Sequence, residues 1–261
     1  MDDCAGFAHT IIQFPGNYDT ILFVRTYDAR LTEIQIEAGD RLAAWIDCPP
    51  AAIPAAGQYT LAYAPGDPLA ALATPLFRGG DVDRVGTASS GFLAAPPLPA
   101  AWAPGMSLVL RGPLGRGFSL GGQRLALAAL GDTVARLLPL AGEALQRGDA
   151  VTLFTNAPLP AIPASIEISP LGSLPEALDW ADCLALDLPL EALAGLRASL
   201  GLPKGDRLAL PAQALVFTPM PCGGLAECGA CAVPANRSLG QRRYLLACKD
   251  GPVFKLDELE W

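Results

Sequence analysis

Histidine is nearly absent from the sequence: His9 is the single one among 261 residues. A Rieske iron–sulfur centre needs two histidine ligands, and a serine or cysteine nucleophile is normally activated by a histidine base. The Rieske centre is therefore excluded by composition, and a single histidine leaves little from which to build an activated nucleophile. His9 lies in an apolar stretch, where a structural role is expected, so we assign no catalytic residue.

Positive charge and long apolar runs are also scarce. Only 18 Lys and Arg residues stand against 26 Asp and Glu, giving a net charge of −8 and a pI near 4.6. This balance argues against nucleic acid or an anionic membrane as partner, and it suits a redox partner with a basic face. No apolar run of about 20 residues is free of proline and charge, so we expect no membrane insertion. The acidic N-terminus lacks the apolar region of a signal peptide.

A disulfide framework is a third absence. Cys4, Cys48 and Cys183 are scattered and odd in number, which is typical of a reducing cytoplasm. We therefore predict a cytoplasmic protein. Its apolar fraction of 51% is enough for the core of one large or two small domains.

The other four cysteines are concentrated near the C-terminus. Cys222, Cys228, Cys231 and Cys248 follow the spacing C-x5-C-x2-C-x16-C. Three thiolates on a Gly-rich loop with a fourth further on is the arrangement that binds a [2Fe–2S] cluster; plant-type ferredoxins use C-x4-C-x2-C and a distant cysteine. Small residues between the ligands let backbone N–H groups turn towards the cluster sulfides. The sequence thus predicts these four residues as cluster ligands.

Two alternatives remain open for these cysteines. Free cysteines are often small core residues, although four within 27 residues, two of them directly beside glycine, is a poor match to chance burial. A Cys4 zinc site is the stronger alternative. Zinc sites usually present two CxxC-type pairs, whereas this stretch has a 3+1 grouping with one such pair, which favours the cluster.

The order of elements predicts a multi-domain β then α/β protein. Residues 1–117 contain short apolar strands separated by Gly, Asn and Asp turns, which predicts an antiparallel β-barrel; residues 81–105 are marked as loop. Residues 118–218 alternate strands and helices, which predicts a Rossmann-like parallel α/β domain. Residues 219–261 form the predicted [2Fe–2S] module.

Individual elements are predicted within these domains. Expected strands include His9–Phe14 and Thr20–Thr26. Helices are expected over Asp132–Arg147, where Pro139 should kink or shorten the helix, and over Pro189–Leu200. Asp182, Asp187 and Glu191, near strand ends of the α/β domain, are interpreted as caps or solvated charges.

Three groups of residues resemble one known family in the same order along the chain. They are Gly57-Gln58-Tyr59; Pro104-Gly105 followed by the stretch Leu110–Phe118; and Cys248-Lys249-Asp250-Gly251-Pro252-Val253-Phe254. The chain resembles the electron-transfer subunit of type B dihydroorotate dehydrogenase, a branch of the ferredoxin–NADP reductase superfamily. The resemblance implies FAD between barrel and α/β domain, oxidation of NADH, and electron transfer through the cluster to a catalytic partner subunit.

Two cofactor motifs of that family are degenerate here. The family's flavin motif has an Arg that pairs with the pyrophosphate, but the corresponding stretch Leu69–Phe77 has none, and Arg78 is the nearest basic residue. The Gly-rich nucleotide turn is reduced to Gly131, followed by the carboxylate of Asp132. The family's Cys-Gly-Pro is replaced by Leu186-Asp187-Leu188-Pro189. FAD is therefore doubtful and NAD(P) is not expected.

Three functional hypotheses follow. The first is an iron–sulfur electron-transfer subunit of a larger hetero-oligomeric oxidoreductase, with a [2Fe–2S] cluster as its redox centre. The second keeps FAD and oxidation of NAD(P)H, as in dihydroorotate dehydrogenase B. The third is a structural or assembly subunit in which the cluster mainly fastens the C-terminus.

Overall fold

The computed structural model describes residues 25–37, 39–65, 72–80, 90–119, 121–238 and 241–261. The first part forms β1 (Thr26–Glu37), β2 (Arg41–Asp47), β3 (Tyr59–Tyr63), β4 (Thr74–Phe77), β5 (Gly91–Ala94) and β6 (Ser107–Leu114). The second forms β7 (Arg124–Ala129), α1 (Leu138–Arg147), β8 (Ala150–Thr155), β9 (Ile166–Ser169), α2 (Leu174–Trp180), β10 (Cys183–Pro189), α3 (Leu196–Ser199) and β11 (Ala212–Phe217). The last forms β12 (Ala232–Ser238), β13 (Gln241–Leu246), α4 (Ala247–Asp250) and β14 (Val253–Lys255).

The first six strands form one antiparallel sheet in the order β4-β3-β6-β1-β2-β5. Its outer strands meet at one end, where Arg78 and Ala94 form an isolated bridge and the N–H of Ala95 donates to the carbonyl of Phe77 at 2.8 Å. The sheet therefore curls around a core that includes Leu31 and Phe92. The predicted antiparallel domain is confirmed. The described residues show a single bridge between β4 and β5 and no continuous ladder.

The second sheet has the order β14-β11-β10-β7-β8-β9. Its five strands β7 to β11 are parallel, as the alternation of strands and helices predicted. Leu125 to Ala129 are all buried, as expected of a central strand covered on both faces. The chain runs outward from β7 through β8 to β9 and then crosses to β10 on the other side of β7. The strand order therefore reverses between β7 and β10.

The C-terminal residues form a hairpin, β12–β13, and then return to the α/β sheet. β14 pairs antiparallel with β11, with Ala214 opposite Phe254. The segment with the cysteines is thus held at both ends by strands of one sheet. No helix within the described ranges combines the length and apolar character needed to cross a bilayer.

Two predicted helices differ from the observed ones. α1 begins only at Leu138, after a 3₁₀ turn over Ala135–Leu137. Pro139 lies in the first turn, where its missing N–H costs nothing, so it shortens the helix without kinking it. Most of the predicted Pro189–Leu200 helix is a 3₁₀ helix over Leu190–Gly195, and α3 is a single turn.

The strand predictions for the first domain were incomplete. β5 lies within residues 81–105, which the sequence marked as loop, because four apolar residues beside prolines show no alternation. The predicted strand His9–Phe14, and Thr20–Thr26 up to residue 24, lie outside the described residues.

Candidate iron–sulfur site

Three of the four candidate cysteines lie on one loop between β11 and β12, and the fourth lies in α4. Cys231 and Cys248 are buried with 1% and 6% of their surface exposed, and their Sγ atoms are 3.3 Å apart. Cys222 is half-buried and Cys228 is exposed. All four are free thiols, and the site therefore has a buried side and a side open to solvent.

Backbone N–H groups of the loop point at the thiols. The amides of Leu225, Glu227 and Cys228 donate to the Cys222 sulfur, and the amide of Ala230 donates to Cys228 Sγ at 3.5 Å. This geometry requires left-handed backbone, as at Ala226 and at the loop glycines. Donors of this kind stabilise a thiolate, the form of cysteine that binds metal.

The pKa values of the thiols reflect these surroundings. Burial by itself would raise the pKa of Cys222. Hydrogen bonds from the backbone N–H groups and the Cys228 thiol outweigh this effect and lower the pKa of Cys222 to about 6. Burial, reinforced by the neighbouring Cys231, raises the pKa of Cys248 to about 12. Cys222 also contributes to the Cys248 shift, so thiols from both ends of the sequence motif interact.

The thiols lie in two neighbouring pairs, Cys222 with Cys228 and Cys231 with Cys248. No three His, Cys, Asp or Glu side chains in the described ranges converge closely enough to hold a single ion. A mononuclear zinc site needs four ligands at about 2.0–2.3 Å from one centre. A [2Fe–2S] cluster instead takes two thiolates on each of two irons, and Cys231 and Cys248, with their Sγ atoms 3.3 Å apart, form one such pair of neighbouring thiols.

Two side chains of the antiparallel sheet form hydrogen bonds to the backbone of the cysteine segment. The Tyr59 hydroxyl in β3 donates to the carbonyl of Cys248 at 3.0 Å. Arg111 in β6 donates through Nη2 to the carbonyl of Gly223 at 2.9 Å. Gly224 lies so close that an added Cβ would be 3.2 Å from Tyr59 Oη. Sequence reasoning quoted Tyr59 and Arg111 within motifs but gave neither residue a role.

The three motifs that carried the family resemblance meet at one junction. Gln58 Nε2 donates to the carbonyl of Gly115 at 3.2 Å, and the N–H of Arg116 donates to the carbonyl of Gly251 at 2.6 Å. A Cβ on Gly57 would lie 2.6 Å from Val253. The motifs are therefore explained by close packing between the antiparallel sheet and the segment that follows Cys248.

The degenerate cofactor positions lie at the carboxyl ends of the parallel strands. Asp132, after β7, forms an ion pair with Arg41 of β2 at 2.5 Å. Asp187, in β10, is completely buried and pairs with Arg136. The interpretation of Asp187 as a cap or solvated charge was wrong, because sequence alone did not show its basic partner. Asp182 is partly exposed and pairs with Arg124.

One family model matches part of the chain. Residues 219–260 match the family described as the iron–sulfur cluster binding domain of dihydroorotate dehydrogenase B. No curated protein matches the sequence.

Solved structures with a similar fold include several reductases. The ferredoxin reductase in carbazole 1,9a-dioxygenase, in its FAD apo form, has a TM-score of 0.50 and 17% identity over 70% of this chain and 66% of that chain. An Amycolatopsis cytochrome P450 reductase has a TM-score of 0.50 and 17% identity over 68% of this chain and 66% of its own. Phthalate dioxygenase reductase, described as a modular structure for electron transfer from pyridine nucleotides to [2Fe–2S], has a TM-score of 0.52 and 14% identity over 85% and 77%.

At sequence identities of 14–17%, this similarity shows the fold alone. The chain spans about two thirds of the length of the first two reductases. The resemblance drawn from the sequence motifs is confirmed: the chain has a ferredoxin-reductase-like fold, and its residues 219–260 match the iron–sulfur cluster binding domain of dihydroorotate dehydrogenase B.

Proposed function

We propose that this chain is the iron–sulfur electron-transfer subunit of a larger oxidoreductase and relays electrons through a [2Fe–2S] cluster. The observation that carries the proposal is the presence of four free thiols, in the neighbouring pairs Cys222–Cys228 and Cys231–Cys248 and with backbone donors directed at sulfur, inside a segment that matches a cluster-binding family. Cys222, Cys228, Cys231 and Cys248 are the proposed ligands. The cluster supplies one-electron chemistry when bound.

The residues of the chain have three tasks at this site. The four thiolates hold the irons, and the loop amides offset the negative charge that accumulates on sulfur. Tyr59 and Arg111 fix the two segments that bring the ligands together. The exposed side at Cys228 is the side that a partner protein can approach, whereas Cys231 and Cys248 lie in the interior.

The wider assignment follows from the fold. The proposed division is a β-barrel of a degenerate flavin-binding type over residues 1–117, an α/β domain of a degenerate NAD-binding type over 118–218 and the [2Fe–2S] cluster module over 219–261, with β14 returning to the α/β sheet. The partner is a catalytic subunit in a hetero-oligomeric complex, and a net charge of −8 suits a basic docking face on it. The free thiols agree with a cytoplasmic location.

Cysteine variants test the ligand assignment. After anaerobic reconstitution with iron and sulfide, Cys222→Ser, Cys228→Ser and Cys248→Ser should each lose most of the visible cluster absorption. Cys48→Ala removes a buried thiol outside the site and should keep it. Loss of absorption in Cys48→Ala, or full retention in Cys228→Ser and Cys248→Ser together, would contradict the assignment.

A structural role for the cluster has its own support, because the cysteine segment is tied to β3, β6 and β11. An experiment on the complex reconstituted with the catalytic partner distinguishes the electron-relay role from the structural role. A complex that assembles without the cluster but loses electron transfer supports the relay. A complex that transfers electrons equally well after cluster removal supports the structural role.

A further inference from the structure

The crevice in which open α/β sheets usually bind dinucleotides is identifiable in this fold. Such ligands bind beyond the carboxyl ends of the strands, where the strand order reverses. Here that point lies between β7 and β10. The residues that follow β7 and those that end β10 are therefore the ones that would contact a nucleotide.

These two segments lie directly against each other. The N–H of Leu130 donates to the carbonyl of Asp187 at 2.9 Å. A Cβ placed on Gly131 would lie 3.6 Å from Pro189 Cδ, which is ordinary van der Waals contact. This hydrogen bond continues the ladder between β7 and β10 by one residue beyond Ala129, so the chain after β7 stays against the end of β10.

An ion pair fills the interior of the crevice. The Arg136 guanidinium donates to both carboxylate oxygens of Asp187 at 2.9–3.2 Å, and the two side chains have 4% and 0% exposure. Arg136 Nη1 also donates to the carbonyl of Pro96, in the antiparallel domain, at 3.0 Å. Its guanidinium carbon lies 4.6 Å from the centre of the Phe217 ring. The pair therefore joins both domains and has no need of a ligand.

The antiparallel domain also contacts the outer side of the crevice, where the Asp132 side chain keeps 67% of its surface exposed. Arg41 reaches across to Asp132, which follows β7. A Cβ on Gly80 would lie 2.2 Å from Leu138 Cβ, so the backbone after β4 touches the first residue of α1. Helix N-termini after the first strand are where a nucleotide phosphate binds, and here the chain itself takes that position.

We propose that the dinucleotide crevice of this fold has become a permanent seam between the two domains, closed by Arg136 and Asp187 inside and by Arg41 and Asp132 outside. The residues present do not fit a flavin or nicotinamide dinucleotide at this place. This goes beyond the proposed function, because it leaves electron delivery to a protein partner: the chain itself draws no electrons from NAD(P)H.

Ligand binding by the full-length, cluster-loaded protein tests the seam. FAD, FMN, NADH and NADPH are each titrated by equilibrium dialysis, with hydrogen–deuterium exchange measured on the same samples. We expect no dissociation constant below about 1 mM and unchanged exchange in residues 130–137 and 186–189. Tight binding of any of the four with added protection in those residues overturns the inference.

A variant pair tests whether Arg136 closes the seam. Arg136→Gln should increase exchange on both sides, in residues 94–98 and 130–137. The matched control Arg124→Gln disrupts the solvent-exposed pair with Asp182 and should leave both segments unchanged. Equal exchange in Arg136→Gln and wild type overturns the inference. The iron and sulfide content of every sample is measured as well. A protein that has lost its cluster and still binds no nucleotide counts against the proposed electron relay, and it leaves the inference about the seam intact.

Discussion

Removing one partner of the Arg136–Asp187 pair should strongly destabilise the protein. Arg136→Met leaves the Asp187 carboxylate in the interior with its three guanidinium hydrogen bonds lost, and Asp187→Leu leaves the cation unpaired. Breaking a buried ion pair in this way costs about 3–5 kcal/mol. At about 2–4 °C per kcal/mol for a chain of this size, each single variant should melt roughly 6–20 °C below the wild type.

The double variant Arg136→Met with Asp187→Leu should recover most of this loss. Replacing both charges by apolar groups removes the cost of an unpaired ion, and only the carbonyl of Pro96 then lacks its donor, at about 1–3 kcal/mol. The matched control Asp182→Asn, at the surface pair with Arg124, should melt like the wild type. The assay is thermal unfolding followed by circular dichroism on cluster-loaded protein.

The deficit of Arg136→Met should also depend on pH. Burial raises the pKa of Asp187, and Arg136 partly opposes that shift. When the pKa of a carboxyl group is higher in the folded protein than in the unfolded protein, the group stabilises the fold at a pH below its unfolded-state pKa. This stabilisation is lost as the pH rises through the folded-state pKa. Without Arg136 the pKa of Asp187 rises further, so the deficit should grow as the pH rises above the range in which an ordinary aspartate ionises. Single variants that melt within about 2 °C of the wild type at every pH would refute a buried pair at the seam.

Three further substitutions probe the support of the cysteine segment. Tyr59→Phe removes the donor to the buried carbonyl of Cys248 and should cost about 1–3 kcal/mol in urea unfolding. Arg111→Gln should make the cluster's reduction potential more negative in a redox titration, because a nearby positive charge is lost; Arg111→Lys should stay closer to the wild type, and equal shifts in both would exclude a charge effect. Gly115→Ala places a Cβ 2.7 Å from a backbone oxygen of the cluster module, at a residue whose φ is 73°. This substitution should lower the free energy of unfolding by at least about 1–2 kcal/mol. The control Gly121→Ala has open space around the added Cβ and should leave the stability unchanged.

The sequence predicted those features that depend on local pattern. The run from Leu125 to Leu130 indicated a buried parallel strand, and the cysteine spacing indicated a shared site. The glycines between the cysteines indicated a turn with positive φ, which the loop has. In each case neighbours in the sequence are also neighbours in space.

Features that depend on long-range contacts could not be predicted. Tyr59 lies 189 residues from Cys248, and Arg136 lies 51 residues from Asp187. Nothing in the residues around Asp187 shows that a guanidinium will meet it. The loss of cofactor motifs was visible in the sequence, but the side chains that now fill the crevice appear only when both domains are in place.

The iron, sulfide and zinc content of the purified wild-type protein, measured together with electron paramagnetic resonance after reduction, tests the central claim most directly. The account predicts about two irons and two sulfides per chain, and a signal from a one-electron-reduced [2Fe–2S] cluster. A colourless protein with about one zinc per chain and no such signal would contradict it.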